Sequence, residues 1–423
     1  MQKFTEKLKI ILKDPTMRKR IGFVFFALFL FRLLAAIPIP GIDPVALEKF
    51  LSGNQLLGLF NIFSGGGISH FSIVMLGVGP YITASIIMQL LTMMSPKMKA
   101  MFQEEGERGR LKLAQYSRLL AVPLAVIQAL GFIKLLQSQS VIAPLSGLSL
   151  ITNIIVITGG SILLMWIGEL ISEFGIGNGV SLIIFAGIVA SLPTNIGQFV
   201  ATFNPAQLPI YIVALIVALI VIVGVVYVTE AERPVPVTYA KQVRGNKVYG
   251  GISTYLPLRL NQAGVIPIIF ALSILLFPRV IANFLVNNAN HTVSVIATAV
   301  SAFLANPWLY DSLYFIMVAL FTFFYTAVTF DPKMISENLQ KSGAFIPGIR
   351  PGESTILYLG KVVTRITLVG AVFLGVVAVL PLIMQSVTNN TTLAIGGTAL
   401  LIVVSVVLDL LKRVDAQISM REY

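Results

Sequence analysis

The chain has 423 residues, of which 56% are hydrophobic and only 11% are charged, and its formal net charge is +12. Soluble domains usually carry about 25% charged residues, so this composition excludes a soluble globular protein. The chain contains no cysteine, which excludes disulfides, cysteine metal sites and cysteine nucleophiles.

Ten apolar segments approach the roughly 20 residues that a helix needs to cross the hydrocarbon core of a bilayer. They predict an all-α, polytopic membrane protein with ten transmembrane helices. In chain order, the predicted spans are 21–39, 73–94, 116–136, 151–171, 177–193, 208–228, 263–285, 308–330, 367–386 and 393–411. They divide the chain into an N-terminal half, 21–193, and a C-terminal half, 194–423. Because each half has an odd number of spans, any structural repeat between the halves is inverted.

The lysines and arginines fall almost entirely in alternate gaps between these spans. The exceptions are Arg32, Lys49, Lys134 and Arg279. Basic loops remain on the cytoplasmic side of a membrane, so this distribution predicts that both termini are cytoplasmic. It also accounts for the net charge better than nucleic-acid binding does.

The N-terminal segment, 1–20, is predicted to form a cytoplasmic amphipathic helix. Its lysines face away from an apolar side formed by Phe4, Leu8, Ile11 and Leu12. This pattern is typical of a helix that lies in the interface of a membrane. The apolar stretch that follows has no small-residue cleavage site, so we expect the first span to be retained.

A short apolar element at 56–71 precedes the second predicted span. Its apolar part is too short to cross a membrane, and Gly65, Gly66 and Gly67 interrupt any helix. Irregular backbone at membrane depth is tolerated only where protein shields it or where it lines a watery cavity. The residues alone leave two alternatives open: a half-inserted element, or an external loop with a surface helix.

Two basic cytoplasmic loops, 229–261 and 331–366, are longer than orientation in the membrane requires. In the first, alternating valine, threonine and tyrosine residues flank Gly245-Asn246, a pattern that predicts the tip of a β-hairpin. In the second, glycines and prolines predict a shaped loop. Ordered basic protrusions of this kind are suited to docking a large anionic or acidic partner.

The sequence lacks the usual signals of coupled transport and catalysis. No acidic residue lies at the centre of a predicted span, and the two histidines, His70 and His291, fall in external or re-entrant stretches. Proton-coupled transport normally uses intramembrane carboxylates or histidines, although sodium sites built from backbone carbonyls stay open. No metal cluster, nucleotide loop or nucleophile motif occurs. We therefore expect no enzyme activity, no cofactor and no metal, with any energy source in a separate partner.

Five motifs, in order along the chain, resemble those of the SecY family of protein-conducting channels. They are PIPGID at 38–43, LGVGPYITASIIMQLL at 76–91, WIGELISEFGIGNGVS at 166–181, NQAGVIP at 261–267 and KSGAFIPGIRPGE at 341–353. The resemblance extends from about residue 18 to the end of the chain. It fits bacterial members of the family better than archaeal or eukaryotic ones.

The resemblance implies two inverted five-helix halves around an hourglass pore. It implies a ring of aliphatic side chains at the constriction, which carries over onto Val78, Ile82, Val180, Ile184, Ile269 and Ile402. It implies a plug in the short apolar element, formed by Phe60, Asn61, Ile62, Phe63, Ser64, Gly65, Gly66, Gly67 and Ile68. It also implies a lateral gate between the second and seventh spans, with Thr83, Ile87 and Phe277 lining it. Without the resemblance, each ring residue would be assigned to the core or to a lipid-facing surface.

The resemblance further implies that the chain translocates secretory preproteins and inserts membrane proteins into the bacterial cytoplasmic membrane. The implied partners are the small membrane subunits SecE and SecG, the SecA motor ATPase, the ribosome, signal sequences, unfolded preproteins and membrane lipids. Four basic residues in the two cytoplasmic loops are the expected docking residues for the motor and the ribosome: Lys241, Arg244, Lys247 and Arg350.

Two other functions are compatible with the same span count. A secondary transporter of a small solute would also use inverted repeats, and the glycine-rich break at 65–67 favours it. The lack of central carboxylates argues against such a transporter. A membrane scaffold would use the basic loops to bind a cytosolic complex and would need no aliphatic ring.

Overall fold

The protein is described by a computed structural model. It describes residues 14–39, 67–68, 71–103, 107–138, 142, 147–201, 205, 208–239, 242–244, 247–249, 253–285, 291–388 and 391–419. Thirteen helices lie within these residues: α1 Pro15–Ala35, α2 Gly79–Met94, α3 Pro96–Gln103, α4 Glu107–Ser138, α5 Gly147–Phe174, α6 Gly179–Ala201, α7 Leu208–Glu230, α8 Ile266–Leu285, α9 His291–Ala305, α10 Pro307–Thr329, α11 Pro332–Lys341, α12 Glu353–Thr388 and α13 Thr391–Ser419.

Each of the ten predicted spans corresponds to one of these helices. Within the described residues, five helical stretches are long and apolar enough to cross a membrane by length and composition: Leu111–Gln137, Gly147–Phe174, Tyr211–Glu230, Pro307–Lys341 and Glu353–Met384. The remaining predicted spans are also helical and correspond to α1, α2, α6, α8 and α13. The prediction of a helical polytopic protein is therefore confirmed.

Helix α5 is the packing centre of the first five spans, since it contacts α1, α2, α4 and α6. Among the later spans, α12 contacts α7, α8, α10 and α13. Helices from the two groups also meet directly: α8 contacts α2 and α4, and α13 contacts α6. The largest hydrophobic cluster draws buried residues from both groups, so the core is shared by the N-terminal and C-terminal spans.

The start of the second span differs from its prediction. The sequence predicts a span from residue 73, but the helix begins at Gly79 and residues 73–78 form consecutive turns. Gly77 adopts a φ of 57°, in the left-handed region that glycine tolerates, and Pro80 occupies the first turn of the helix. These two residues favour a turn followed by a helix start over a continuous helix.

The first of the two loops predicted to be cytoplasmic forms the predicted hairpin. Strand β1, Glu232–Tyr239, pairs antiparallel with β4, Ser253–Arg259. Beyond them, β2, Gln242–Arg244, pairs antiparallel with β3, Lys247–Tyr249. Arg244 and Lys247 are paired in this register. The β-hairpin prediction is therefore confirmed.

The second cytoplasmic loop contributes to the same sheet, which the sequence did not indicate. Strand β5, Ala344–Phe345, pairs with the free edge of β1 and gives the strand order β4-β1-β5. A separate hydrophobic cluster beneath the sheet joins β1 and β4 to α12, through buried residues such as Val237, Leu258 and Leu359. Helix α12 begins at Glu353, so much of 331–366 is helical. The two loops, both predicted to be cytoplasmic, consequently form one folded unit.

We predict that Val237→Asp loosens both loops together. Val237 is 2% exposed beneath the sheet, and burying an unpaired carboxylate costs several kcal/mol. Limited trypsin digestion of the protein in detergent would then cut both 229–261 and 331–366 faster. The rate should rise roughly tenfold for each 1.4 kcal/mol of local stability that is lost.

Tyr255→Asp is the matched control, because Tyr255 lies on β4 but is 66% exposed. Its digestion rate should equal that of the parent. Equal rates for both variants would mean that the sheet does not hold the two loops together.

Candidate constriction, lateral gate and docking surface

The six predicted ring residues lie in the same hydrophobic cluster. Val78, Ile184 and Ile402 are buried members, at 0%, 2% and 1% exposure. Ile82, Val180 and Ile269 are half-buried and pack against that cluster. They come from four elements, namely the start of α2, α6, α8 and α13. The six side chains thus belong to, or pack against, one hydrophobic cluster that several helices share. That they form a ring stays a prediction.

A non-helical turn positions Val78 at the start of α2. The backbone N–H of Gly77 donates to the carbonyl of Val74 at 2.8 Å, and the N–H of Ile82 donates to the carbonyl of Val78 at 3.0 Å. The hydroxyl of Ser161 on α5 donates to the carbonyl of Gly77 at 2.8 Å. The turn is thus satisfied by its own backbone and by the neighbouring helix.

A close backbone contact positions Val180 and Ile184 on α6. A Cβ on Gly179, the first residue of α6, would overlap the carbonyl oxygen of Gly168 on α5. The N–H of Gly179 donates to the hydroxyl of Ser172 at 2.8 Å. The absence of a side chain on Gly179 allows this approach, which a Cβ at that position would prevent.

The predicted lateral gate borders an apolar cavity of about 700 Å³. The cavity lies between α2, α4, α8 and α9, and both Thr83 and Ile87 line it. Thr83 and Ser273 bring hydroxyls to the lining, but each donates back to its own helix, to the carbonyls of Gly79 and Ile269. The space is therefore suited to an apolar occupant. Phe277 lies within α8, beside the lining residue Pro278.

Helix α9 completes this cavity and was not predicted. Val293, Ile296, Ala297 and Val300 contribute to the lining. Their spacing, i, i+3, i+4 and i+7, is the apolar face of an amphipathic helix. That periodicity is the signal in the sequence that would have revealed α9.

Most of the predicted plug, Phe60 to Gly66, lies outside the described residues. Its last two residues are described: Ile68 is fully buried and packs in a second cluster with Phe71, Met75 and residues of α4 and α5. The carbonyl of Gly67 accepts from the N–H of Ser72 at 2.8 Å, and Ser72 bridges Pro38. The end of the element is thus shielded by protein. That it seals a pore stays a prediction.

The structure describes only some of the predicted docking residues. Lys241 lies outside the described residues, and the backbones of Arg244 and Lys247 lie opposite each other at the hairpin tip. Arg350 is exposed.

The backbone at Arg350 is fixed by its neighbours. The hydroxyl of Thr355 donates to the carbonyl of Arg350 at 3.0 Å, and the hydroxyl of Ser336 donates to that of Gly352 at 3.0 Å. Gly348 and Gly352 adopt φ values of 81° and 99°. The arginine therefore projects from a shaped turn on the cytoplasmic unit.

Comparison with known proteins agrees with this architecture. A sequence model of the SecY family matches residues 72–411. The protein translocase subunit SecY of Thermotoga maritima is 41% identical over 431 residues, covering 99% of this chain and 96% of that protein. A solved structure described as that of a protein-conducting channel has a TM-score of 0.65 at 21% identity and covers 96% of this chain and 93% of its own. Sec61 in the canine ribosome-channel complex has a TM-score of 0.62 at 20% identity, with the same coverage.

The fold is thus that of a helical, polytopic membrane channel, with apolar side chains from both groups of spans meeting in its core. The sequence similarity extends over nearly the whole chain and is specific. The chain belongs to the SecY family.

We predict that α2 and α8 can be joined across the cavity. With Thr83→Cys and Ser273→Cys, both lining the same space, a short bis-thiol reagent should cross-link the two helices in most molecules. The chain has no native cysteine to compete. Protease cleavage between the helices, followed by gel analysis, measures the yield.

Thr83→Cys with Leu215→Cys is the control pair, since Leu215 is 63% exposed on the outer surface of α7. It should give no cross-link. A yield for the first pair as low as that of the control would contradict the described position of the gate helices.

Proposed function

We propose that this chain is the central, non-catalytic subunit of a protein-conducting channel in the bacterial cytoplasmic membrane. It passes unfolded preproteins across the membrane and releases apolar segments sideways into the lipid. The observations that support this proposal are that six aliphatic side chains from four elements belong to, or pack against, one hydrophobic cluster, and that an apolar cavity lies between α2 and α8.

The constriction acts as a seal that any polypeptide can pass. Val78, Ile82, Val180, Ile184, Ile269 and Ile402 form a ring that excludes water, since a narrow apolar constriction dewets and stops ion flow. Each aliphatic contact contributes only about 0.1–0.2 kcal/mol per atom pair, so a translocating chain can displace the side chains one at a time. Because the ring offers no polar partner, it holds no particular sequence.

The cavity beside the gate receives the apolar core of a signal sequence. Thr83 and Ile87 on one side and Phe277 on the other form the gate, which opens towards lipid. A segment of about 20 apolar residues then gains roughly 0.3–0.6 kcal/mol for each central leucine or isoleucine that enters the bilayer. Polar segments gain nothing from leaving and continue through the pore. A signal sequence opens the gate because it binds the open state more tightly than the closed one.

The cytoplasmic unit is the docking surface for the motor and the ribosome. Both termini lie in the cytoplasm, since the basic gaps face that side. Arg350 projects from its shaped turn, and Lys241, Arg244 and Lys247 extend the basic surface to the hairpin tip. This surface attracts acidic and anionic partners, which we assign as SecA and the ribosome. SecE and SecG are the membrane partners.

The remaining assignments follow the division of the chain. The N-terminal helix, 1–20, lies on the cytoplasmic leaflet. The halves 21–193 and 194–423 form two inverted five-helix bodies. The plug, Phe60 to Ile68, rests below the ring and supplements its seal when no chain is present.

We predict that Ile184→Asn increases ion leakage through the resting channel. An amide in the ring offers water a hydrogen-bonding partner and opposes dewetting. Planar-bilayer conductance of the complex with SecE should rise roughly tenfold or more, because 1.4 kcal/mol of lost closed-state stability corresponds to that factor.

Leu182→Asn is the matched control, because Leu182 lies two residues earlier on α6 and is buried at 3% exposure. It carries the same cost of burying an amide but lies outside the ring. Equal leakage from both variants would mean that general loosening, not the ring, sets the conductance.

The proposed function is tested by reconstituting the chain with SecE and SecA and measuring protease-protected preprotein. The parent should protect the preprotein in an ATP-dependent manner. Arg350→Glu should lower the protected fraction by at least roughly tenfold if it removes a docking contact of about 1.5–3 kcal/mol, with unchanged resting conductance.

Lys361→Glu makes the same charge change at another exposed position of the cytoplasmic side, on α12, and should translocate at the parent rate. Failure of an assembled parent complex to protect any preprotein would overturn the proposed function. Equal losses for both variants would overturn only the role of Arg350.

A further inference from the structure

Helix α5 supplies none of the six ring residues, yet it contacts both elements that carry the ring in the first five spans. It packs against α2 and α6. Its contacts with them include backbone groups, glycines and serine hydroxyls at two places along the helix. The first place faces the turn that leads to Val78, and the second faces the first turn of α6.

The first contact combines a close approach with a hydrogen bond. A Cβ on Gly160 would overlap the backbone carbonyl oxygen of Ile73. The adjacent residue, Ser161, is 4% exposed and donates its hydroxyl to the carbonyl of Gly77 at 2.8 Å. Gly77 immediately precedes Val78, so this bond fixes the peptide that orients the first ring residue.

The second contact is similar, but here the neighbouring helix α6 supplies the hydrogen-bond donor and α5 supplies the acceptor. The hydroxyl of Ser172 donates to the carbonyl of Gly168 at 2.9 Å and accepts from the N–H of Gly179 at 2.8 Å. A Cβ on Gly168 would stand 3.3 Å from a methyl group of Val180. Ser172 therefore links the end of α5 to the residue preceding Val180.

The two contacts are held at a fixed separation because they belong to one helix. Ser161, Gly168 and Ser172 are related by i, i+7 and i+11, which lie on the same face at 3.6 residues per turn. Seven residues correspond to about 10 Å along the helix axis. The turn at 73–78 and helix α6 therefore both pack against one rigid helix.

We propose that α5 is the positioning element of the constriction. Ser161 and Gly160 set the place of Val78 and Ile82, while Gly168 and Ser172 set the place of Val180 and Ile184. The inference rests on the proposed function, since it assigns these residues to the closed ring of the channel. Removing either contact lets ring side chains on one side move apart without altering any of them.

The test compares resting ion conductance of the complex with SecE in planar bilayers. Ser161→Ala leaves the carbonyl of Gly77 without its side-chain donor, and conductance should rise roughly tenfold, the usual effect of losing one buried hydrogen bond. Thr152→Ala is the control on the same helix, because the Thr152 hydroxyl bonds only within α5, to the carbonyl of Leu148. It should keep the parent conductance.

A second pair of variants tests the close approach independently. Gly160→Ala places a methyl group against the carbonyl of Ile73, whereas a Cβ on the neighbouring Gly159 meets no atom within 4 Å. Gly160→Ala should leak and Gly159→Ala should not. If Ser161→Ala and Gly160→Ala both stay at the parent conductance, the proposal is wrong.

General destabilisation is distinguished by Leu359→Ala. Leu359 is fully buried in the cytoplasmic cluster, away from the ring, so this variant lowers the thermal unfolding temperature without touching α5. Leakage from Ser161→Ala with none from Leu359→Ala supports positioning. Equal leakage from both variants would mean that Ser161 contributes only to general stability, and it would overturn the proposal.

Ile184→Asn separates this inference from the proposed function. If Ile184→Asn leaks and the α5 variants do not, only the positioning role fails. If Ile184→Asn itself stays tight, the ring assignment fails, and the positioning of that ring fails with it.

Discussion

A non-helical turn in the core of a helical membrane protein must satisfy its backbone hydrogen bonds within the protein. Water is absent from the bilayer core, and each unsatisfied group there costs several kcal/mol. Among residues 73–78, Gly77 bonds to the carbonyl of Val74, Ile73 bonds to the carbonyl of Ile37, and the carbonyl of Gly77 accepts from the hydroxyl of Ser161. The proposed constriction depends on these bonds, because they hold the turn that places Val78 in the hydrophobic cluster shared by the two groups of spans.

Packing of the remaining core follows from the same constraint. Helices α5 and α6 approach through Gly168 and Gly179 because serine and backbone groups satisfy one another at that contact. The hydrophobic cluster shared by the two groups of spans contains branched aliphatic side chains, which need no hydrogen-bond partner. Contacts within this cluster are weak and non-directional, in contrast to the directional polar contacts made by α5.

Hydropathy was sufficient to predict the ten spans, since a bilayer demands about 20 apolar residues for each crossing. The hairpin was predictable because Gly245-Asn246 and the alternation around it are local signals. The pairing of β5 with β1 was not, because two residues, Ala344 and Phe345, carry no pattern of their own.

The candidate site was predictable only in part. Val78 and Ile402 look like any other apolar residue of a membrane protein, and only the resemblance to the SecY family distinguished them. The proposed roles of Gly160 and Ser161 could not be predicted for another reason. They depend on contacts with residues that lie 70 to 90 positions earlier in the chain. The apolar face of α9 is indicated by the spacing of its residues. Hydropathy alone did not predict the helix, because it is too short to span a bilayer.

The sheet shared by the two loops has a mechanical consequence. Strand β5 on the second loop pairs with β1 on the first, and α12 runs from beneath that sheet to Thr388. A force applied to either loop is therefore transmitted through the sheet to the same long helix. Pulling on one loop alone is thus sufficient to move the ninth predicted span.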